Sequence, residues 1–477
     1  MRRGLMNRGG ESVGPLPAEY ETGAEGGRNA ILPAPAARGR AIVGWLLFDW
    51  ACQPFFTLIT TFVFAPYFAT ALARDPAQGQ SLWGYATAAA GLALAVLSPI
   101  AGSIADASGP KKPWIAAAGL VLVVATTALW WAAPGAPDAI AIALTAFVAA
   151  AVATEIAAVF NNAMMPSLVP PERLGRLSGA GWAMGYAGGL VSLLVVLGFL
   201  AALPETGRTY FGLDPSTREG DRVTGPFSAL WFLAFVWPLF LFTPDLPRTG
   251  LSFGEAVRHG LTQVRGTLAD AKRHPGVLRF LLANMVYQDA LVALFAFGGI
   301  YGAGVFRWGP VELGIFGILL TITGTVGALI GGRLDDRVSA KAVLLGAIAL
   351  FTLVCIGIVS LGPDRILFVV PTAPAAPGDG LFGSLPEKLF LGLGLVIGAL
   401  AGPLQASSRS YLARLVPRSE AGRYFGLLAL SGKLTSFLAP LAVAIATDAF
   451  DSQAAGPAVL ILFFGTGAVL LSGVRRA

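Results

Sequence analysis

Residues 168–179 read LVPPERLGRLSG, and residues 415–426 read LVPRSEAGRYFG. The stretches lie 247 positions apart and share Leu, Val, Pro, Gly, Arg and Gly at matching places. Two more pairs keep a similar spacing. GSIAD (102–106) precedes GGRLD (331–335) by 229 positions, and FDWACQ (48–53) precedes QDALVA (288–293) by 240. The last pair sets Asp49 against Asp289. Three correspondences in order describe a chain built from two copies of one plan.

Charge gives the class of that plan. Of the 477 residues 55% are hydrophobic and 13% charged, and the mean hydropathy is +0.70. A soluble domain carries about 25% charged residues. No charged side chain occurs in 76–105, 113–137, 177–204, 223–244, 313–332, 342–363 or 452–474. Each run has about the length a helix needs to cross a ~30 Å hydrocarbon layer, close to 20 residues. Backbone in lipid must satisfy its own hydrogen bonds, so the runs are expected to be helices. Five further spans carry a buried charge each: 41–73 with Asp49, 139–163 with Glu155, 277–305 with Asp289, 388–412 with Arg409 and 425–447 with Lys433. The expectation is an all-α membrane protein of twelve transmembrane helices in two six-helix bundles. The halves are 41–243 and 277–477. They are joined by a cytoplasmic linker, 244–276, and preceded by a disordered cytoplasmic tail, 1–40. In the linker, Phe253, Val257, Leu261, Val264 and Leu268 recur at helical spacing and predict an amphipathic helix on the membrane surface.

Lys and Arg set the orientation. With the N-terminus inside, 24 of the 33 basic residues fall in the tail, the inward loops and the C-terminal end. The positive-inside bias therefore places both termini in the cytoplasm. The net charge of +6 follows from that topology and gives no reason to invoke nucleic acid. Cys52 and Cys355 fall inside spans and read as small apolar fillers. No pattern for a metal, haem or other cofactor is present, nor any Walker-type phosphate loop. No buried histidine or activated cysteine offers an intramembrane enzyme its machinery, so no enzyme activity is expected.

GSIADASGPKK (102–112) fits the Gly-x-x-x-Asp-x-x-Gly-x-basic-basic loop of the major facilitator superfamily, here between spans 2 and 3. GGRLDDRVSAK (331–341) is a degraded copy between spans 8 and 9. The blocks GWLLFDWACQPFFTLITTFVFAPYF (44–68), NNAMMPSLVPPERLGRLSGAGWAMGYAGG (161–189), FLLANMVYQD (280–289), QASSRSYLARLVP (405–417) and FGLLALSGKLTSFLAP (425–440) narrow the likeness. In that order they resemble the fungal vacuolar amino-acid effluxers linked to autophagy and their bacterial relatives. The resemblance covers roughly 41 to 473. It implies a transporter fold and export of a small solute. It also implies that Gly102, Asp106, Gly109, Lys111, Lys112 and Asp335 latch the bundles in one access state, the two lysines facing the cytoplasm. The chain departs from its relatives at Cys52-Gln53, where they often carry Asn-Ser.

Ionisable groups inside a bilayer are costly, on the order of 2.5–3.5 kcal/mol on insertion scales, so they face a cavity or a partner. Asp49 and Asp289 sit on the first helix of each half and are expected to line a central cavity. Gln53, Asn284 and Gln288 lie within about a turn of them and offer neutral hydrogen-bond groups to a polar solute. Glu155, Arg409 and Lys433 complete the candidates for the substrate or proton pathway. Either cation could bind a substrate carboxylate or pair with Asp49, Glu155 or Asp289. Gly181, Gly185 and Gly189 recur every four residues in span 5 and predict a close helix contact. Pro54 is expected to break the helix register of span 1. The function read from all this is secondary transport of a small polar solute by alternating access, by a monomer in the lipid bilayer. A non-transporting sensor or scaffold on the same fold is the alternative.

Overall fold

The computed structural model describes residues 35–107, 110–169, 174–200, 209, 211–245, 255, 258, 262, 274–376, 378–415, 428, 431–432 and 434–474. Its main helices are α1 (Pro35–Pro54), α2 (Pro76–Ala107), α3 (Lys112–Ala128), α4 (Ala139–Leu168), α5 (Leu174–Val195) and α6 (Thr224–Phe242). The second half holds α7 (Pro275–Val305), α8 (Pro310–Arg337), α9 (Ala340–Val359), α10 (Leu385–Leu415), α11 (Leu438–Phe450) and α12 (Ala455–Ser472). Among the described residues, ten helices are long and apolar enough to cross a membrane. Pro310–Gly324 and Leu438–Phe450 are shorter apolar helices at the places of the eighth and eleventh expected spans. The protein is a multi-pass, all-α membrane protein.

Local chemistry explains the helix limits. Pro275 and Pro310 open α7 and α8, where a missing N–H is harmless. The Ser339 side chain accepts from the Ala342 N–H and caps α9. At Pro54 the first span changes register, as expected. Phe55–Phe62 and Phe68–Leu72 are π-helical, and Tyr67 N–H bonds Val63 O across the intervening turn. The span continues to Leu72, so the proline bends the ladder without ending it.

Three boundaries differ from the sequence reading. The first helix begins at Pro35, inside the segment read as tail. Helix α8 runs through Arg337, so Asp335 lies on a helix and not in a loop. The eleventh span is interrupted: residues 435–437 form a turn, and α11 starts only at Leu438. Between residues 246 and 273 of the linker, only Glu255, Arg258 and Thr262 are described; all three are helical and exposed, and Thr262 Oγ1 donates to Arg258 O. The apolar face expected there lies outside the described residues.

One end of the bundle carries a β-hairpin between α9 and α10, formed by β1 (Arg365–Ile366) and β2 (Val370–Pro371). The described contacts between the halves cluster toward this hairpin face. Helix α2 packs on α11, the π-helical part of the first span packs on α7, and α5 packs on α8. Gly299 brings α7 against the backbone of Thr61, and Gly84 brings α2 against Ala444. The Phe62 and Phe316 rings meet edge to face, 6.2 Å apart. The opposite end carries residues 110–111 and 243–245 and is the linker face.

Candidate functional site

The glycines of α5 pack on the polar side of α1. A Cβ built on Gly181 would fall 2.5 Å from Asp49 Oδ2, and one on Gly185 would fall 3.1 Å from Gln53 Oε1. Gly189 lies against Gln53 and Thr57 in the same way. Asp49, Gln53 and Thr57 are spaced four apart, as are the three glycines, so two matching stripes face each other across the helix pair. The glycine spacing predicts the close contact; what it contacts is a row of polar side chains. Gly188, on the adjoining side, approaches the backbone of Trp50.

Aromatic groups hold this stretch of α1 in place. Trp45 Nε1 donates to Asn161 O on α4 at 2.8 Å. Trp231 of α6 stacks on Trp50, centroids 5.7 Å apart, and its Nε1 donates to Trp50 O at 3.1 Å. Cys52, on the same helix, is buried. The Asn161 side chain is fully buried, and its amide makes no hydrogen bond among the described residues. Asp49 is half-buried and likewise has no hydrogen bond or ion pair among them. A carboxylate at this depth with no partner among the described residues is open to water, a proton or a solute.

Asp289, the repeat-related acid, is placed differently. It is 4% exposed, and its Oδ2 accepts the Ala439 N–H at 3.0 Å. Ala439 lies in the first turn of α11, so Asp289 caps that helix from a neighbouring one, where the helix dipole favours negative charge. Its Oδ1 has no partner among the described residues. Nearby on α7, Tyr287 O–H donates to Asn284 Oδ1 at 3.0 Å and bonds Ser408 Oγ at 2.7 Å. Asn284 thus belongs to a buried α7–α10 network. Gln288 is half-buried. The next residue after Ser408, Arg409, is exposed, and no ion pair joins it to Asp49 or Asp289 among the described residues. The pairing considered for Arg409 with these two acids is therefore absent: the helix cap and the glycine stripe occupy their neighbourhoods. Lys433 lies outside the described residues, as does Gly109. Gly102, Asp106 and Asp335 are helical, and only their backbone is described.

At the linker face, the carboxylate of Asp245 takes the backbone N–H groups of Lys111 and Lys112 at 2.7 and 3.1 Å. Lys112 Nζ donates to Phe240 O at 2.9 Å. Lys111 is 2% exposed, so the expectation that both lysines face the cytoplasm is wrong for Lys111. The N-terminus of α3 is pinned to the end of α6, and the first basic residue is drawn beneath that contact. Asp245 was not singled out in the sequence; its signal is an acid directly after an uncharged run.

Residues 76–477 match the family described as "Vacuole effluxer Atg22 like". The chain belongs to that family. The match begins at Pro76, so Asp49 and Gln53 lie outside the matched residues. The "Uncharacterized MFS-type transporter YxiO" of Bacillus subtilis (strain 168) is 26% identical over 444 residues, covering 90% of this chain and 94% of that protein. "Autophagy-related protein 22-1" of Neosartorya fischeri is 23% identical over 287 residues, covering 58% of this chain and 44% of that protein. The chain thus aligns with less than half the length of this fungal relative. In fold it resembles the nucleoside transporter NupG, with TM-score 0.60 and 14% identity over 92% of this chain and 98% of that one. It also resembles the D-xylose–proton symporter, with TM-score 0.62 and 11% identity over 92% and 96%. These neighbours carry the major facilitator fold, and this member of the Atg22-like family shares it.

Proposed function

We propose that the chain is a secondary active transporter that moves a small polar solute across the membrane by alternating access, in the direction of export. Amino acids are the substrate class, and a proton is the coupling ion. The family name, with its vacuolar effluxer, supports the direction, and the resemblance to amino-acid effluxers supports the class. The observation that carries the reading is the pair of facing stripes. Asp49, Gln53 and Thr57 form a polar row in an otherwise apolar helix, and Gly181, Gly185 and Gly189 let α5 pack directly against it. A buried ion pair of purely structural purpose would give Asp49 a cation, and among the described residues it has none.

The arrangement suits a zwitterion. Asp49 attracts an ammonium group, Gln53 and Asn161 supply neutral hydrogen-bond groups, and Arg409 on the other half offers a carboxylate a guanidinium. Glu155, on α4, adds a second carboxyl group on the first half. Asp289 serves the second half as helix cap and as a proton-accepting carboxylate, with Lys433 and Gln288 completing that side. The positive-inside bias puts the linker face in the cytoplasm, and the halves close on each other toward the hairpin face. The protein acts as a monomer of two bundles in the bacterial inner membrane, both termini inside, with the 102–112 and 331–341 segments latching the access states.

Purified protein in proteoliposomes tests this reading. Radiolabelled amino acids, sugars and nucleosides are offered with and without an imposed pH gradient. An amino acid moves, and the gradient speeds it. If nothing moves under either condition, the transport reading is wrong.

A further inference from the structure

The halves are tied at the hairpin face by side-chain amides. Gln80, near the start of α2, donates through Nε2 to Thr447 Oγ1 at 2.8 Å and to Gln453 O at 3.1 Å. Gln453 donates through its own Nε2 to Gln80 Oε1 and to Ile300 O, each at 3.3 Å. Gln80 and Thr447 are fully buried and Gln453 nearly so. Two elements of the second half, α11 and the turn before α12, are thereby fastened to one residue of the first, and Gln453 ties that turn to α7. Gly304 makes the room: a Cβ there would collide with the Gln453 amide.

Two cavities lie against this clasp at the boundary of the halves. One, of ≈ 630 Å³, is lined by Asp75, Arg365, Phe368 and Asp451, together with Gln453 and Tyr301. The Gln78 N–H and the Arg74 guanidinium hold the Asp75 carboxyl below its usual range, so Asp75 stays ionised at this vestibule. The other, of ≈ 30 Å³, is lined by Thr61, Phe62, Gln80 and Phe316, again with Tyr301. Gln453 borders the first, Gln80 borders the second, and their amides meet between them. The clasp is the partition.

Its polarity bears on what it does. A buried amide without partners costs about 1–3 kcal/mol, whereas a made hydrogen bond gains only about 0.5–1.5 kcal/mol net, because water replaces it on opening. A leucine seam here would hold the halves by area alone and resist wetting. An amide seam closes in one register and reopens into water at small cost. We infer that Gln80, Thr447 and Gln453 form the gate that closes the solute path at the hairpin face. The inference rests on the transport reading above, and it assigns these three residues to positioning the halves and not to contacting the solute.

The test needs no solute. In a chain with Cys52→Ala and Cys355→Ala, a single reporter thiol is placed by Thr61→Cys on the inner cavity. A second protein carries Val369→Cys on the exposed hairpin, which marks the side from which a membrane-impermeant maleimide enters. With the clasp intact, the Thr61→Cys reporter reacts slowly from the hairpin side. Gln80→Leu removes three inter-half hydrogen bonds and raises that rate about tenfold, which corresponds to ~1.4 kcal/mol; Gln453→Leu removes one of them together with the tie to Ile300 and raises the rate less. Thr447→Ser keeps the hydroxyl and the slow rate. Unchanged rates in both leucine variants, with the hairpin reporter reacting normally, overturn the gate. Should the leucine variants fail to fold, Gln80→Cys paired with Gln453→Cys decides the matter. Oxidation of that pair suppresses the reporter reaction, and reduction restores it; a reporter indifferent to oxidation refutes the proposal. Labelling fails or succeeds whether or not any solute moves, so failure of the gate is distinguishable from failure of the transport reading.

Discussion

Replacing Asp289 by Ala and by Asn separates its charge from its cap. Both substitutions remove a buried charge, so the desolvation cost they relieve is the same and cancels in the comparison. Asparagine keeps an oxygen able to accept the Ala439 N–H, now 3.0 Å from Asp289 Oδ2, and Asn is as good an N-cap as Asp. Alanine leaves that N–H unpaired at the buried start of α11. An unsatisfied buried donor costs about 1–3 kcal/mol, so Asp289→Ala is expected to be about 2 kcal/mol less stable than Asp289→Asn. For a unit of 150–250 residues each kcal/mol moves Tm by about 2–4 °C, so the alanine variant melts roughly 4–8 °C below the asparagine variant. Tryptophan fluorescence during heating in one detergent at one pH measures this. If the two variants melt together, Asp289 does not cap α11.

Two further outcomes follow from the packing. Gly181→Val places two methyl groups where Asp49 Oδ2 and the Trp45 ring now lie; it pushes α5 off α1 and abolishes solute flux, whereas Gly346→Val, which meets nothing within 4 Å, leaves flux intact. Asp245→Ala strips both backbone N–H groups at the start of α3 of their acceptor and lowers stability by about 1–2 kcal/mol, read as a lower melting temperature, while Asp245→Asn recovers at least half of it.

Much of the fold was legible because a bilayer forbids charge. The uncharged runs fall on the observed helices from Pro76 to Ser472, and the repeat places Asp49 and Asp289 on equivalent helices. The different surroundings of those two acids were not legible, since the cap on Asp289 comes from a helix start 150 positions away. The interruption at residues 435–437 hides in a run whose composition suits a continuous helix. Gln80 and Gln453 escaped notice because a scan for charge passes over neutral amides. Their signal is an amide at the edge of an apolar run, too common to identify a contact until α2 and α11 are packed together. The glycine stripe of α5 was readable as a packing face, but only the fold sets the polar row of α1 opposite it.

Flux through Asp49→Asn is the most direct test. Wild-type and variant proteins are reconstituted at equal density, and uptake of the best amino acid from the solute screen is followed with and without a pH gradient. The substitution keeps size and hydrogen-bonding groups, so the variant elutes and melts like the wild type. Its gradient-driven flux is expected to fall to the level of protein-free vesicles. A folded Asp49→Asn protein that transports at the wild-type rate and answers the gradient as the wild type does would remove Asp49 from the pathway.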